Sequence, residues 1–212
     1  MRHRPAAWPH TLLKALFALA CTAVALHAFA YLYRTHSPAD PFAARFALSG
    51  WDVPAHFFGA GLALLLVPVQ LSATVRRRWP ALHRLSGWLS AAAILVGGLA
   101  GLLLAPKAQG GLPSATAFAL LSLLWLGVTA NGIRLAVAGR FAAHRRWMAY
   151  SIALTAAAVT LRLILGLGVG LLQLPFAPVY VAAAWLSWLA NLAVCAWWLR
   201  ATRGTGHGSS AA

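Results

Sequence analysis

Residues Ala81–Trp88 read ALHRLSGW, residues Ala142–Tyr150 read AAHRRWMAY, and a long apolar run follows each. A run of roughly 20 apolar residues is enough for a helix to cross the hydrocarbon of a bilayer. His83-Arg84 and His144-Arg145 stand where two such helices would leave the cytoplasm. Two imidazoles, each able to titrate or to ligate a metal, therefore fall at one depth on two parallel helices.

Hydropathy extends this reading in both directions. Six spans appear: Leu12–Tyr33, Trp51–Ala73, Leu85–Ala105, Ala115–Val137, Trp147–Leu172 and Pro178–Leu199. The chain is 61% hydrophobic and 9% charged, whereas soluble domains carry about 25% charged residues. The expected fold is an all-α polytopic transmembrane bundle of six spans. Residues 1–11 form a cytoplasmic N-terminal segment, 12–199 the membrane domain and 200–212 a disordered Gly/Ser-rich tail. Pro68 should kink the second span, and no other sign of a broken helix is legible.

The net charge of +15 has a topological explanation. With the N-terminus inside, thirteen bases fall on inner segments: Arg2, Arg4, Lys14, Arg76, Arg77, Arg78, Arg84, Arg134, Arg140, Arg145, Arg146, Arg200 and Arg203. Only Arg34, Arg45 and Lys107 fall outside. This asymmetry is the positive-inside pattern and places both termini in the cytoplasm. It removes the case for nucleic acid, for which no motif is present. The basic start and Ala28-Phe29-Ala30 imitate a signal peptide, but an uncleaved first span fits better. In the outer loop, Asp40-Pro41 is a helix start, which would lay Phe42, Phe46 and Leu48 on the outer interface. Cys21 and Cys195 lie inside apolar runs with no metal-site spacing and read as small buried hydrophobes.

Helical geometry sorts the polar residues within the spans. Eighteen residues make five turns, so His144 and Arg162 share a face about 27 Å apart, with Ser151 and Thr155 near the same line. Asp52 and Gln70 are related likewise, with His56, Gly59 and Ala63 close to their line. The line through His83 holds Gly87, Ser90, Gly97 and Gly101, a small-residue face that admits another helix or a flat ligand. An inner layer then contains Gln70, His83 and His144, with Asn131 and Asn191 deeper. An outer layer contains Asp52, His56, Arg162 and His27. Structural alternatives stand beside these functional ones. Arg162 pairs with Asp52, the amides are interhelical hydrogen-bond glue, and the His-Arg pairs anchor an interface with Trp88 and Trp147.

The fragments LHRLSGW, AHRRWMAY and LTAAAVTLRL, with LLWLGVTANGIR before the second, resemble bacterial predicted membrane proteins grouped as domain of unknown function 2306. The resemblance covers Trp51–Leu199 and implies a multi-pass protein of the bacterial inner membrane. His56, His83, Arg84, His144, Arg145, Trp147 and Arg162 are the matching polar positions, and His27 has no counterpart.

Three functions compete. The first is a haem-b electron-transfer module, with His83 and His144 as axial ligands, Arg84 and Arg145 meeting the propionates, and a membrane redox protein or quinone as partner. An outer haem would need His27 with His56. The second is a carrier for protons or a small anion along the polar stripes. The third is a non-catalytic membrane subunit or assembly factor. No hydrolase, ATPase or transferase motif is present.

Overall fold

The computed structural model describes residues 8–33 and 50–204. These residues form helices and short connections, with no strand among them. Six helical spans are long and apolar enough to cross a membrane: Thr11–Tyr33, Asp52–Leu71, Pro80–Lys107, Leu112–Val137, Phe141–Leu171 and Phe176–Thr202. The expected six-span helical bundle is what the chain forms. The outer segment Asp40–Leu48, the bases Arg2, Arg4, Arg34 and Arg45, and the tail beyond Gly204 lie outside the described residues.

The helices are α1 (Trp8–Tyr33), α2 (Asp52–Leu71), α3 (Ala73–Arg78), α4 (Pro80–Leu104), α5 (Leu112–Val137), α6 (Phe141–Thr155), α7 (Ala157–Leu165) and α8 (Phe176–Gly204). The starts of α4 and α6 lie furthest ahead of where hydropathy places them, at Pro80 and Phe141 instead of Leu85 and Trp147, because a basic first turn lowers hydropathy without interrupting backbone hydrogen bonding. Pro80 suits the first helical position, where its missing N–H would have no partner in any case. As a result His83 and His144 are each the fourth residue of a helix. Their N–H groups donate to Trp79 O at 3.0 Å and Arg140 O at 2.9 Å. The sequence echo is thus a structural equivalence. At the other end α8 runs to Gly204, past the expected limit at Leu199.

Two connections are set by side chains. Ser72 leaves the helical region with ψ 112°, and its Oγ accepts from Val75 N at 3.2 Å, capping the short basic helix α3. Pro68 lies in the last turn of α2, which ends at Leu71. The fifth span departs from expectation. It is not one helix but α6, a one-residue interruption at Ala156, α7, and a π-helical turn over Gly166–Leu171. Thr155 Oγ1 donates to Ser151 O at 2.8 Å beside the interruption, a back-bond that bends helices. The π turn carries Gly166, Gly168 and Gly170.

Four spans close a ring. α4 packs on α2 and on α5, α6 packs on α5 and touches α2, and α4 and α6 lie across the ring from each other. α1 covers α2 and α7, while α8 covers α5, α6 and α7. The tightest crossing joins α2 to α4. A Cβ on Gly59 would stand 2.6 Å from Ala93 O and from Gly97 N, and one on Gly97 would stand 2.8 Å from Ala60 N. At that level the small face of α4 takes another helix, not a flat ligand. Lipid tails are as apolar as the side chains, so close packing of this kind, with hydrogen bonds, is what holds helices together in a bilayer.

The ring interior is filled by Ala63, Ala93, Ile94, Trp125, Leu154, Ala157 and Trp188. Two polar pairs join α5 to α6 there, whereas the buried Trp188 Nε1 of α8 has no hydrogen-bond partner. Trp125 Nε1 donates to Thr155 Oγ1 at 2.9 Å, and the Thr129 and Ser151 hydroxyls meet at 2.7 Å. Thr155→Val should strand the indole N–H in an apolar setting. It should lower resistance to unfolding by about 1 kcal/mol, measured by denaturant titration in mixed micelles.

Candidate functional site

The residues expected in the two polar layers have several partners other than those expected. The inner layer lies at the end where α2 and α5 finish and α4 and α6 begin, the end that carries the exposed bases Arg76, Arg77, Arg78, Arg84, Arg140, Arg145 and Arg146. His144 Nδ1 lies 2.8 Å from Gly132 O on α5. A carbonyl only accepts, so Nδ1 carries the proton and donates, and of the two neutral tautomers this contact selects the one with Nε2 as acceptor. His83 is half-buried on α4. Its Nδ1 is a buried atom with no hydrogen-bond partner, an arrangement that calls for a reason. His144 and Arg76 are both within electrostatic reach of His83.

Around this pair the other groups are satisfied. Gln70 Nε2 donates to His83 O at 3.2 Å and to Ser86 Oγ at 2.7 Å, so Gln70 is the expected glue between α2 and α4. Gly87, one turn beyond His83, leaves space up to the Gln70 amide: a Cβ there would be 3.6 Å from Oε1. Gly132 is covered by Met148, whose Sδ would be 2.7 Å from an added Cβ. Arg84 and Arg145 are exposed, each near the start of its helix, and each lines an open groove, beside Trp79 and Pro80 in one case and Phe141 in the other. The guanidinium within electrostatic reach of His83 is that of Arg76, which the sequence placed among the inner bases and not in the site. The signal available was the Arg76–Arg78 run seven residues before the histidine. Gly132 was also missed, twelve residues before His144.

In the outer layer the expected Asp52–Arg162 pair does not form. Asp52 accepts from Lys107 Nζ and from Val53 N at 2.9 Å. The close α2–α4 crossing explains the exchange, because it brings the end of the third span over the first turn of α2. Arg162 turns back along its own helix, and its Nη1 donates to Ala158 O at 3.0 Å. His56 lies within electrostatic reach of Arg162, and its Nδ1 donates to Gly97 O at 2.8 Å. Gly101 seats the ring, since a Cβ there would be 3.0 Å from His56 Nδ1. His27 is on the exposed side of α1.

The deeper amides divide. Asn191 joins α8 to the fifth span, donating to Ala153 O at 3.1 Å and accepting from Thr160 Oγ1 at 3.0 Å. Asn131 stays within α5, accepting from Arg134 at 2.8 and 3.0 Å, so it is not interhelical glue. Cys21 is buried and Cys195 half-buried, both as free thiols. Among the described residues no group of three or more His, Cys, Asp or Glu is placed to hold a metal ion. The inner pair is therefore two imidazoles and nothing more.

Sequence comparison agrees with this architecture. A family model described as a predicted membrane protein (DUF2306) matches residues 53–199, from the start of α2 into α8. No curated protein matches the chain, and no solved structure does. The matched region holds the ring of α2, α4, α5 and α6 from Val53 onward, with Gln70, His83 and His144 of the inner layer and His56 and Arg162 of the outer one. The chain belongs to the predicted membrane protein family of domain of unknown function 2306.

Proposed function

We propose that the protein is a haem-b-binding electron-transfer module of the bacterial inner membrane, with both termini cytoplasmic and with His83 and His144 as the axial pair. The observation that carries the reading is the inner histidine pair. His144 is fixed by Gly132 O in the tautomer that frees Nε2, and it lies near His83, whose buried Nδ1 has no partner. A ligating histidine almost always donates its second ring nitrogen to a carbonyl or carboxylate in this way.

The donor count selects the group. A structural zinc takes four protein ligands and a catalytic one takes three, so two imidazoles are too few. Iron already held by four porphyrin nitrogens needs only axial ligands. The residues fit: the two histidines come from helices across the ring from each other, Gly87 adds no side chain beside His83, and Arg76 supplies positive charge for propionates. Haem, when bound, supplies one-electron chemistry. The chain's own work is to hold the imidazoles in one tautomer, exclude water from them and place a guanidinium alongside. The bases exposed at this end support the orientation.

The carrier reading has less behind it. Ser151 and Thr155, which would line a path, have their hydroxyls engaged by Thr129 and Trp125. Expression with haem available, purification and reduced-minus-oxidised spectroscopy test the proposal. A b-type spectrum at close to one haem per chain is expected. A well-folded protein with no such absorption would overturn it.

A further inference from the structure

We propose that the two helix starts carrying the inner histidines bind anionic phospholipid headgroups in a matched pair of basic grooves, independently of any haem between those histidines. One groove, of about 660 Å³, is lined by Arg78 and Arg84 with Trp79, Pro80, Ala81 and Leu82. The other, of about 550 Å³, is lined by Arg140, Arg145 and Arg146 with Phe141, Ala142 and Ala143. Arg84 and Arg145 are each the fifth residue of a membrane span that begins at Pro80 or Phe141, about 6 Å along the helix axis from its first residue. The guanidiniums therefore surround openings at the boundary between water and hydrocarbon, where lipid headgroups lie. All five are exposed, and none has a hydrogen-bond or ion-pair partner among the described residues. The one carboxylate side chain of the described residues, Asp52, is held by Lys107 at the other end of the bundle.

The chemistry of the ligand follows from what each groove presents. Two or three guanidiniums around one opening offer forks of donors that match the two free oxygens of a phosphodiester. Backbone donors add to them. No side chain caps either helix, and the first bonds back to the preceding turn are made by His83 N and His144 N. The N–H groups of Ala81, Leu82, Ala142 and Ala143, all residues of the groove walls, come before those bonds and are open to an anionic oxygen. A bare ion would leave most of either groove empty, whereas pockets for organic ligands span roughly 300–1,000 Å³. Exposed apolar side chains stand beside the basic ones, Trp79, Leu82 and Leu85 at one groove and Phe141 at the other. They suit acyl chains and not a soluble anion. Phosphatidylglycerol has all the required parts: a phosphodiester, a net negative charge and acyl chains. Phosphatidylcholine has the same phosphodiester and no net charge.

The test is native mass spectrometry of the detergent-purified full chain with short-chain phosphatidylglycerol, with phosphatidylcholine of the same chain length, and with inorganic phosphate as competitor. Two phosphatidylglycerol molecules per chain should be retained, about tenfold more tightly than phosphatidylcholine, and phosphate at equal concentration should displace neither. Arg84→Gln should weaken one of the two about fivefold, Arg145→Gln the other, and the double variant both. These side chains are exposed, so the fold tolerates the change. Arg77→Gln removes the same charge from a side chain that lines neither groove, and should leave both lipids bound. Fewer than two retained lipids, equal retention of phosphatidylcholine, or displacement by phosphate at equal concentration would overturn the grooves as lipid sites. So would unchanged binding in the double variant, or a loss in Arg77→Gln as large as in Arg84→Gln.

Discussion

Gly59→Ala is expected to destabilise the protein, reversing the usual effect of that substitution in a helix. Alanine is favoured over glycine by about 1 kcal/mol in a helix interior. Here the added Cβ would stand 2.6 Å from Ala93 O and from Gly97 N. Both are backbone atoms of α4 and have no rotamer to change, so the helices must separate. Over-packing costs typically about 1–3 kcal/mol. The cost sits at the crossing that also places Lys107 over Asp52 and seats His56 on Gly97. Gly59→Leu should prevent the bundle from assembling. Gly127→Ala is the control: nothing lies within 4 Å of its added Cβ, so it should be neutral or slightly stabilising. The measurement is the denaturant midpoint in mixed micelles. A Gly59→Ala protein as resistant as Gly127→Ala would show that α2 and α4 do not cross at these glycines.

The spans and the layers were legible because both depend on periodicity. Runs of apolar residues give six crossings, the starts of two of them put His83 and His144 at one depth, and the eighteen-residue relation sets Arg162 on the face of His144 at the far end of the same span. Partners were less legible, since they depend on which helices touch. Nothing in the sequence says that Gly59 faces Gly97. Without that crossing Asp52 has two candidate cations, Arg162 and Lys107, and sequence distance favours neither. The exposure of His27, the retreat of Asn131 into its own helix and the approach of Arg76 to His83 share this character. They are fixed by helix rotation and by a short helix, α3, too small to leave a periodic signal. The interruption at Ala156 has a local cause in Thr155, but a threonine in a span bends a helix only when its hydroxyl turns back to the preceding turn. That choice is made by Trp125 on another helix.

Replacing either inner histidine should remove the haem spectrum entirely, while replacing the arginines beside them should not. His83→Ala and His144→Ala each delete one axial nitrogen, and no third His, Cys, Asp or Glu of the described residues is placed to substitute. Loss of the b-type absorption is the expected reading for each variant, since the two imidazoles would hold the group together. Arg84→Ala and Arg145→Ala should retain the spectrum, because both side chains are exposed at the starts of their helices. Arg76→Ala should lower occupancy rather than change the signature, since it acts through charge and not through ligation. A merely structural role for the histidines predicts something different: unfolding without spectral specificity, and no response to exogenous ligand. His144→Gly separates the two. The space left by the ring, beside the carbonyl of Gly132, accepts free imidazole with Nδ1–H directed at the same oxygen, and added imidazole should restore the absorption. Failure of that rescue in folded His144→Gly protein, or an unchanged spectrum in either alanine variant, would move the ligands elsewhere.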